Sequence, residues 1–314
     1  MSKCAPILNE MSVIAGPASY DLACNIAERL GGDLISPEVK IFPDGESRLR
    51  FGNVKDRLCV IVQSMYPPTD RHFMQALMMI SKCREDKAKG IVLVVPYLGY
   101  SRQDRSFLDG EVASMRVVGQ LLEWCGTSMF LTTDVHSNAA ISHFSIPAEN
   151  ISLISLMGNY AKSKLDLVDP LVVSPDIGGS GRALHLSEIL NVQSVSLSKI
   201  RDRSTGEVIF SRQGEFRDRL TGRDVIIVDD IISSGTSVIK ASSILLNLGA
   251  RKIYVMCSHA VLVNNAAEKL EVSGVDEIIM TNSIPNKYAK IDISHSICES
   301  IQSVLSSNRF CIRS

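Results

Sequence analysis

Short apolar runs recur along the chain and alternate with longer stretches in which apolar residues return every three or four positions. Ser12–Ala15, Leu58–Gln63, Ile91–Val95 and Ser128–Thr133 in the first half read as strands. So do Leu171–Ser174, Ser194–Leu197, Val225–Val228, Ile253–Cys257 and Glu277–Met280 in the second. Tyr20–Leu30, Asp70–Cys83, Val112–Trp124, Gly181–Leu190, Thr236–Leu248 and Asn264–Leu270 read as helices. Strand–helix alternation of this kind predicts parallel sheets with helices on both faces. The pattern runs twice, with a softer stretch near Ile146–Ser155. The expectation is an α/β protein of two doubly wound parallel-sheet domains, residues 1–148 and 149–314. In such sheets ligands bind beyond the carboxyl ends of the strands, so the chemistry is sought in the loops that follow them.

Length agrees, since 314 residues make two domains at roughly 150 each. Lys and Arg number 33 against 34 Asp and Glu, which excludes a generally basic nucleic-acid coat and leaves only a local basic patch open. A hydrophobic share of 45% and a charged share of 21% are those of a globular chain rather than a disordered one. The longest apolar stretch, Gly90–Pro96, falls far short of the ~20 residues that span a bilayer. The opening MSKCAPILNE has no basic region followed by an apolar run, so no secretory signal is expected. Eight cysteines, at 4, 24, 59, 83, 125, 257, 298 and 311, form no C-x-x-C pair and read as free thiols of a reducing compartment. A cytoplasmic protein without membrane or nucleic-acid partners is expected.

The most informative segment is VIIVDDIISSGTSVIKA, residues 225–241. A strand delivers two adjacent carboxylates, Asp229 and Asp230, and a small-residue turn, Ser233-Ser234-Gly235-Thr236-Ser237, opens a helix. Such a turn suits a phosphate: glycine lets the backbone approach, hydroxyls donate, and a helix N-terminus offers unpaired N–H groups. The acidic pair suits sugar hydroxyls or a magnesium ion. An ordinary helix cap beside two solvated acids is the plainer alternative.

At this point the chain resembles the phosphoribosyl diphosphate-binding family, which includes phosphoribosyltransferases and ribose-phosphate pyrophosphokinases. Five further segments resemble those of the pyrophosphokinases, in the same order. They are Ile41–Glu46 (IFPDGE), Tyr100–Arg105 (YSRQDR), Thr133–Ser137 (TDVHS), Val173–Gly179 (VSPDIGG) and Lys199–Arg201 (KIR). The likeness covers essentially the whole chain and is closer to the compact archaeal-type enzymes than to the usual bacterial ones. It implies two phosphoribosyltransferase-like domains, the second carrying the ribose-phosphate loop. The implied reaction moves the diphosphoryl group of MgATP to the C1 hydroxyl of ribose 5-phosphate, giving phosphoribosyl diphosphate and AMP.

Each segment also has a reading of its own. Phe42 offers a ring to stack on a base, and Asp44 and Glu46 can accept from an exocyclic amine; a β-turn on Pro43-Asp44-Gly45 is the alternative. The resemblance favours adenine recognition by Phe42, Asp44, Gly45 and Glu46, often across a subunit interface. Arg102 and Arg105 are forked donors suited to a polyphosphate, and Gln103 can bond a phosphate oxygen or a base; a solvated charged loop is the alternative. A lone histidine such as His136 is more often structural than catalytic, but the resemblance makes His136 and Asp176 the ligands of nucleotide-borne magnesium. Asp176 also opens a glycine-rich turn that can serve simply as a helix entry.

The segment Lys199–Arg223 holds seven basic residues against four acidic ones, which suits an arm closing over a polyphosphate or a solvated hairpin. By resemblance Lys199 and Arg201 stabilise the transferring group, and Arg201, Asp229, Asp230 and Ser233–Ser237 hold ribose 5-phosphate. Two departures stand out: Ser233 occupies a place where many members carry Asp, and Gly235-Thr236-Ser237 replaces the common Gly-Gly-Thr ending. His72, His143, His185, His259 and His295 fall in no interpretable motif.

Two rivals share parts of this pattern. A phosphoribosyltransferase needs the Asp-Asp loop but not the Phe42 and Arg102-Gln103 segments. A non-catalytic regulatory homologue keeps the fold and loses the catalytic groups. The resemblance further implies a homo-oligomer.

Overall fold

A computed structural model describes residues 10–197, the backbone of 199–201 and 208–210, and residues 220–306. Lys199 and Arg201 therefore enter only by their backbone, and most of the basic segment lies outside the described residues. The described residues form two compact units. One comprises those within Met1–Ser152, Ser283–Pro285 and Asp292–Ser314, the other Leu153–Asn282 and Asn286–Ile291.

The first unit runs β1 (Met11–Ala15), α1 (Tyr20–Leu30), β2 (Asp33–Ile35), β3 (Glu38–Ile41), β4 (Ser47–Arg50), β5 (Leu58–Val62), α2 (Thr69–Glu85), β6 (Gly90–Val95), α3 (Ser114–Cys125), β7 (Met129–Thr133) and β8 (Ala148–Ile151). A 3-10 turn, Asn138–His143, lies between β7 and β8. Six strands form one parallel sheet in the order β2-β1-β5-β6-β7-β8, while β3 and β4 make a separate antiparallel hairpin. Strands β1, β5, β6 and β7 are buried at every residue because helices cover both faces of the sheet.

The second unit runs α4 (Ile154–Lys164), β9 (Leu171–Ser174), α5 (Ser180–Leu190), β10 (Gln193–Ser196), β11 (Lys199–Arg201), β12 (Val208–Phe210), β13 (Asp224–Ile232), α6 (Thr236–Asn247), β14 (Lys252–Ala260), α7 (Ala266–Glu271), β15 (Glu277–Thr281) and β16 (Ala289–Ile291). Its parallel sheet has the order β10-β9-β13-β14-β15-β16, with β11 and β12 paired as an antiparallel hairpin. The two sheets thus share one topology, each with a hairpin after its edge strand. Both are doubly wound, as expected.

Two findings move the expected boundaries. Strand β13 continues through Asp229 and Asp230 to Ile232, because β14 extends with it and pairs Asp229 with Cys257 and Ile232 with Ala260. The acidic pair therefore lies within the second half of a strand rather than at the start of a loop. The final helix, α8 (Ser294–Ser306), belongs to the first unit and packs against α1, where Arg29 Nε donates to Ser294 Oγ at 2.8 Å. A single cut at residue 148 places that helix with the second unit by sequence position. Among the described residues no helix is long and apolar enough to cross a membrane. Six cysteines in the same set are free thiols, of which Cys59, Cys83, Cys257 and Cys298 are buried.

Candidate functional site

In the second unit β9 leads outward to β10, and the chain then returns past β9 to β13. The reversal puts the topological switch point between β9 and β13, where an open α/β sheet leaves a crevice for ligands. Asp176 lies two residues beyond β9, the backbone of Lys199–Arg201 begins three beyond β10, and Asp229 and Asp230 end the apolar run of β13. Three neighbouring strands thus bring these candidates to one end of one sheet.

Burial and the neighbouring Asp230 side chain push the Asp229 carboxyl up to about 8, against the opposing pull of Arg182. Two carboxylates side by side in a dry environment cannot both ionise cheaply. The Asp230 backbone N–H donates to Asp229 Oδ1 at 2.9 Å, and Arg182 Nη1 sits 3.4 Å from Asp230 Oδ1. Arg182, in the first turns of α5, is a residue the sequence reading missed; only its place after the glycine-rich turn hinted at it. Beyond β13, the exposed Ser234 and Thr236 hydroxyls lie 3.0 Å apart. Gly235 takes φ 73° at the N-cap of α6, a left-handed conformation that a side chain would strain. As a glycine, the N-cap residue brings no capping side chain to α6. Asp176 is held by its own turn: its carbonyl accepts from Ser174 Oγ at 2.7 Å and its Oδ1 from the Gly179 N–H at 3.2 Å.

In the first unit the candidates are grouped differently. Phe42–Glu46 forms the tip of the β3–β4 hairpin, closed by Phe42 N–H to Glu46 O and Gly45 N–H to Phe42 O, both 2.9 Å. Phe42 is half-buried with Lys40 Nζ 5.1 Å from its ring centre, and Asp44, Gly45 and Glu46 are exposed. The β-turn alternative is the one seen, and it leaves a ring and two carboxylates at an open tip. Arg102 and Gln103 are exposed in the loop after β6. That loop is anchored by Tyr100, whose hydroxyl donates to Asp70 and is pushed up to about 12 by that bond. His136 is exposed just after β7. Strands β6 and β7 are adjacent, so the Arg102–Gln103 and His136 loops leave the same end of the sheet.

The first unit's own switch point, between β1 and β5, is filled. A Cβ on Gly16 would lie 2.1 Å from Gln63 Oε1 and 2.7 Å from the Val62 carbonyl. Gln63 Oε1 accepts from the Ala18 N–H and its Nε2 donates to the His72 carbonyl, both at 3.1 Å. Ser19 Oγ accepts from the Ser64 N–H at 2.9 Å, and Ser64 Oγ donates to the Ser283 carbonyl at 2.7 Å.

The N-terminal domain of ribose phosphate pyrophosphokinase, as a family model, matches residues 11–126, and a phosphoribosyl synthetase-associated domain matches residues 216–311. A ribose-phosphate pyrophosphokinase of Sulfurisphaera tokodaii is 37% identical over 93% of this chain and all of its own length. One from Methanobrevibacter smithii is 35% identical over 91% of this chain and 98% of its own. The crystal structure of phosphoribosylpyrophosphate synthetase from Mycobacterium smegmatis superposes with a TM-score of 0.85 at 25% identity, covering 96% of this chain and 100% of that one.

Proposed function

The chain belongs to the family of ribose-phosphate pyrophosphokinases and is an enzyme of diphosphoryl transfer; on that premise we propose how its own residues divide the reaction. The C1 hydroxyl of ribose 5-phosphate attacks the β-phosphorus of MgATP in line, and AMP leaves. The observation that carries this reading is the acidic pair at the switch point of the second sheet, followed by a turn of small residues that opens α6.

Asp229 and Asp230 accept hydrogen bonds from the ribose hydroxyls, with Arg182 offsetting their mutual repulsion. The Ser233–Ser237 turn holds the 5-phosphate through backbone N–H groups and hydroxyls. The departures at Ser233 and Thr236 keep hydroxyl donors in the cradle. Phe42 stacks on the adenine, Asp44 and Glu46 accept from its amine, and Gly45 allows the tip to turn. Arg102 forks onto the polyphosphate, assisted by Arg105, and Gln103 bonds a phosphate oxygen or the base.

His136 and Asp176 would hold magnesium. Among the described residues no group of three or more His, Cys, Asp or Glu side chains is placed to bind a metal by itself. A lone side-chain donor of either kind suits an ion whose remaining ligands are phosphate oxygens and water. Magnesium, when bound with the nucleotide, offsets the charge of the triphosphate. Lys199 and Arg201 compensate the charge that develops on the transferring group. Rate enhancement then comes from positioning and charge stabilisation, with no covalent intermediate on the protein. A cytoplasmic homo-oligomer is part of the same proposal.

The test is formation of AMP and phosphoribosyl diphosphate from ATP, magnesium and ribose 5-phosphate, beside a Lys199→Ala variant. The expected result is AMP release that depends on ribose 5-phosphate, reduced by roughly three or more orders of magnitude in the variant, on the scale of an arginine finger's contribution. No product from folded protein across a range of phosphate concentrations would overturn the reading in favour of the regulatory homologue.

A further inference from the structure

We propose that His143, a histidine outside every recognised motif, is a positioning residue that joins the nucleotide loop of the first unit to its metal loop. The inference rests on the assignment of Arg102 and Gln103 to ATP and of His136 to magnesium. His143 closes the 3-10 turn Asn138–His143, which begins two residues after His136. Its ring Nε2 lies 2.6 Å from the carbonyl oxygen of Asp104, the residue that directly follows Arg102 and Gln103. A carbonyl only accepts, so Nε2 carries the proton and donates.

Each loop has ties of its own, and beyond His143 the Ser145 and Ile146 N–H groups donate to Glu123 of α3. On the nucleotide side the Tyr100 hydroxyl is held by Asp70, the Gln103 N–H donates to the Tyr100 carbonyl at 2.8 Å, and the Met115 N–H donates to the Gln103 carbonyl at 3.1 Å. On the metal side Asn150 spans His136: its Oδ1 accepts from the Val135 N–H at 2.9 Å and its Nδ2 donates to Asn138 Oδ1 at 3.0 Å. At the root of both loops Thr133 Oγ1 donates to the Pro96 carbonyl at 2.8 Å. The His143–Asp104 bond closes this frame at its outer end. Arg102, Gln103 and His136 then move as one body. The chemistry calls for that, because a polyphosphate and the ion it carries must be met in one geometry.

The experiment measures KM for MgATP, KM for ribose 5-phosphate, kcat and Tm in four variants. His143→Leu removes the donor and is expected to raise KM for MgATP roughly tenfold, a misplacement effect, with KM for ribose 5-phosphate unchanged. His143→Gln, whose amide nitrogen reaches the place of Nε2, restores the wild-type value. His143→Asn, one methylene shorter, does not, and decides the matter should the leucine variant fold poorly. Arg102→Ala tests the premise. If it leaves KM for MgATP unchanged, the ATP assignment fails and the coupling with it. If it raises that KM while His143→Leu moves neither KM or both equally, or while glutamine fares no better than asparagine, the coupling alone is overturned.

Discussion

The two units use the same sheet topology in opposite ways. In the first, β5 reads Leu-Cys-Val-Ile-Val and is followed by Gln63-Ser64; in the second, the matching run Val-Ile-Ile-Val of β13 is followed by Asp229-Asp230. The place is the same, next to the switch point, and the residues differ in charge. Gln63 and Ser64 turn inward, satisfy the backbone around them and close the crevice with the help of Gly16 and Ser283. Asp229 and Asp230 stay together at a cost in burial and leave a small-residue turn exposed beyond them. A neutral amide that can both donate and accept makes a good plug, whereas a pair of carboxylates keeps acceptors for which the backbone has no use. With its crevice sealed, the first unit carries its candidate chemistry elsewhere, on the β3–β4 hairpin and on the loops after β6 and β7.

Substitutions at those matched places distinguish a plugged crevice from an open one. Asp229→Asn combined with Asp230→Asn is expected to lower kcat/KM for ribose 5-phosphate by roughly 100-fold or more while the protein stays folded, the cost of losing the one charge that the pair carries and the acceptors it gives the sugar. Steady-state kinetics with intact Tm checks it, and unchanged kinetics would mean the switch point of the second unit is not the ribose site. Gln63→Leu carries the reverse signature. It strands the Ala18 N–H and the His72 carbonyl, at about 1–3 kcal/mol of stability. Denaturant unfolding measures that loss, and activity per folded molecule is expected to stay near wild type.

A separate expectation concerns pH dependence. Asp229 keeps its proton in the native state up to about 8, whereas the unfolded chain releases it near 3.8. Across that window the native state binds the extra proton, so stability falls as pH rises through it. Asp229→Asn is expected to flatten that slope and to raise Tm at pH 8 relative to wild type. A slope that persists in the variant would assign it to another group.

Much of this was legible because buried strands betray themselves. Strands β5, β6 and β9 are apolar through nearly their whole length, and α1 shows its inward face at Leu22, Ala23, Ile26, Ala27 and Leu30 before ending at Gly31 in a left-handed turn. The β3–β4 hairpin escaped notice because EVKI and SRLR are mostly exposed and carry no core-facing pattern. Helix α4 buries only Ile154, Met157, Gly158 and Ala161 and shows a weak stripe, whereas α8 has a readable one, Ile297, Cys298, Ile301 and Val304, set among five serines. At the site, residues that directly follow strands were readable from their position. Their tethers were not: Asp70, His143, Asn150 and Arg182 act on residues 15 to 48 positions away, and no local pattern marks such a bond.

The place of α8 has a consequence for how the chain comes into being. On the ribosome, residues 10–152 emerge before the second unit and carry every strand of the first sheet, yet the helix that covers α1 is made only after the entire second unit. Domains usually fold as they are synthesised, N-terminal first. Here the earlier unit waits, with the α8-facing side of α1 uncovered, for almost the whole of translation. A chain broken off between residues 152 and 294 loses more than its tail: it leaves unfinished the unit that began it.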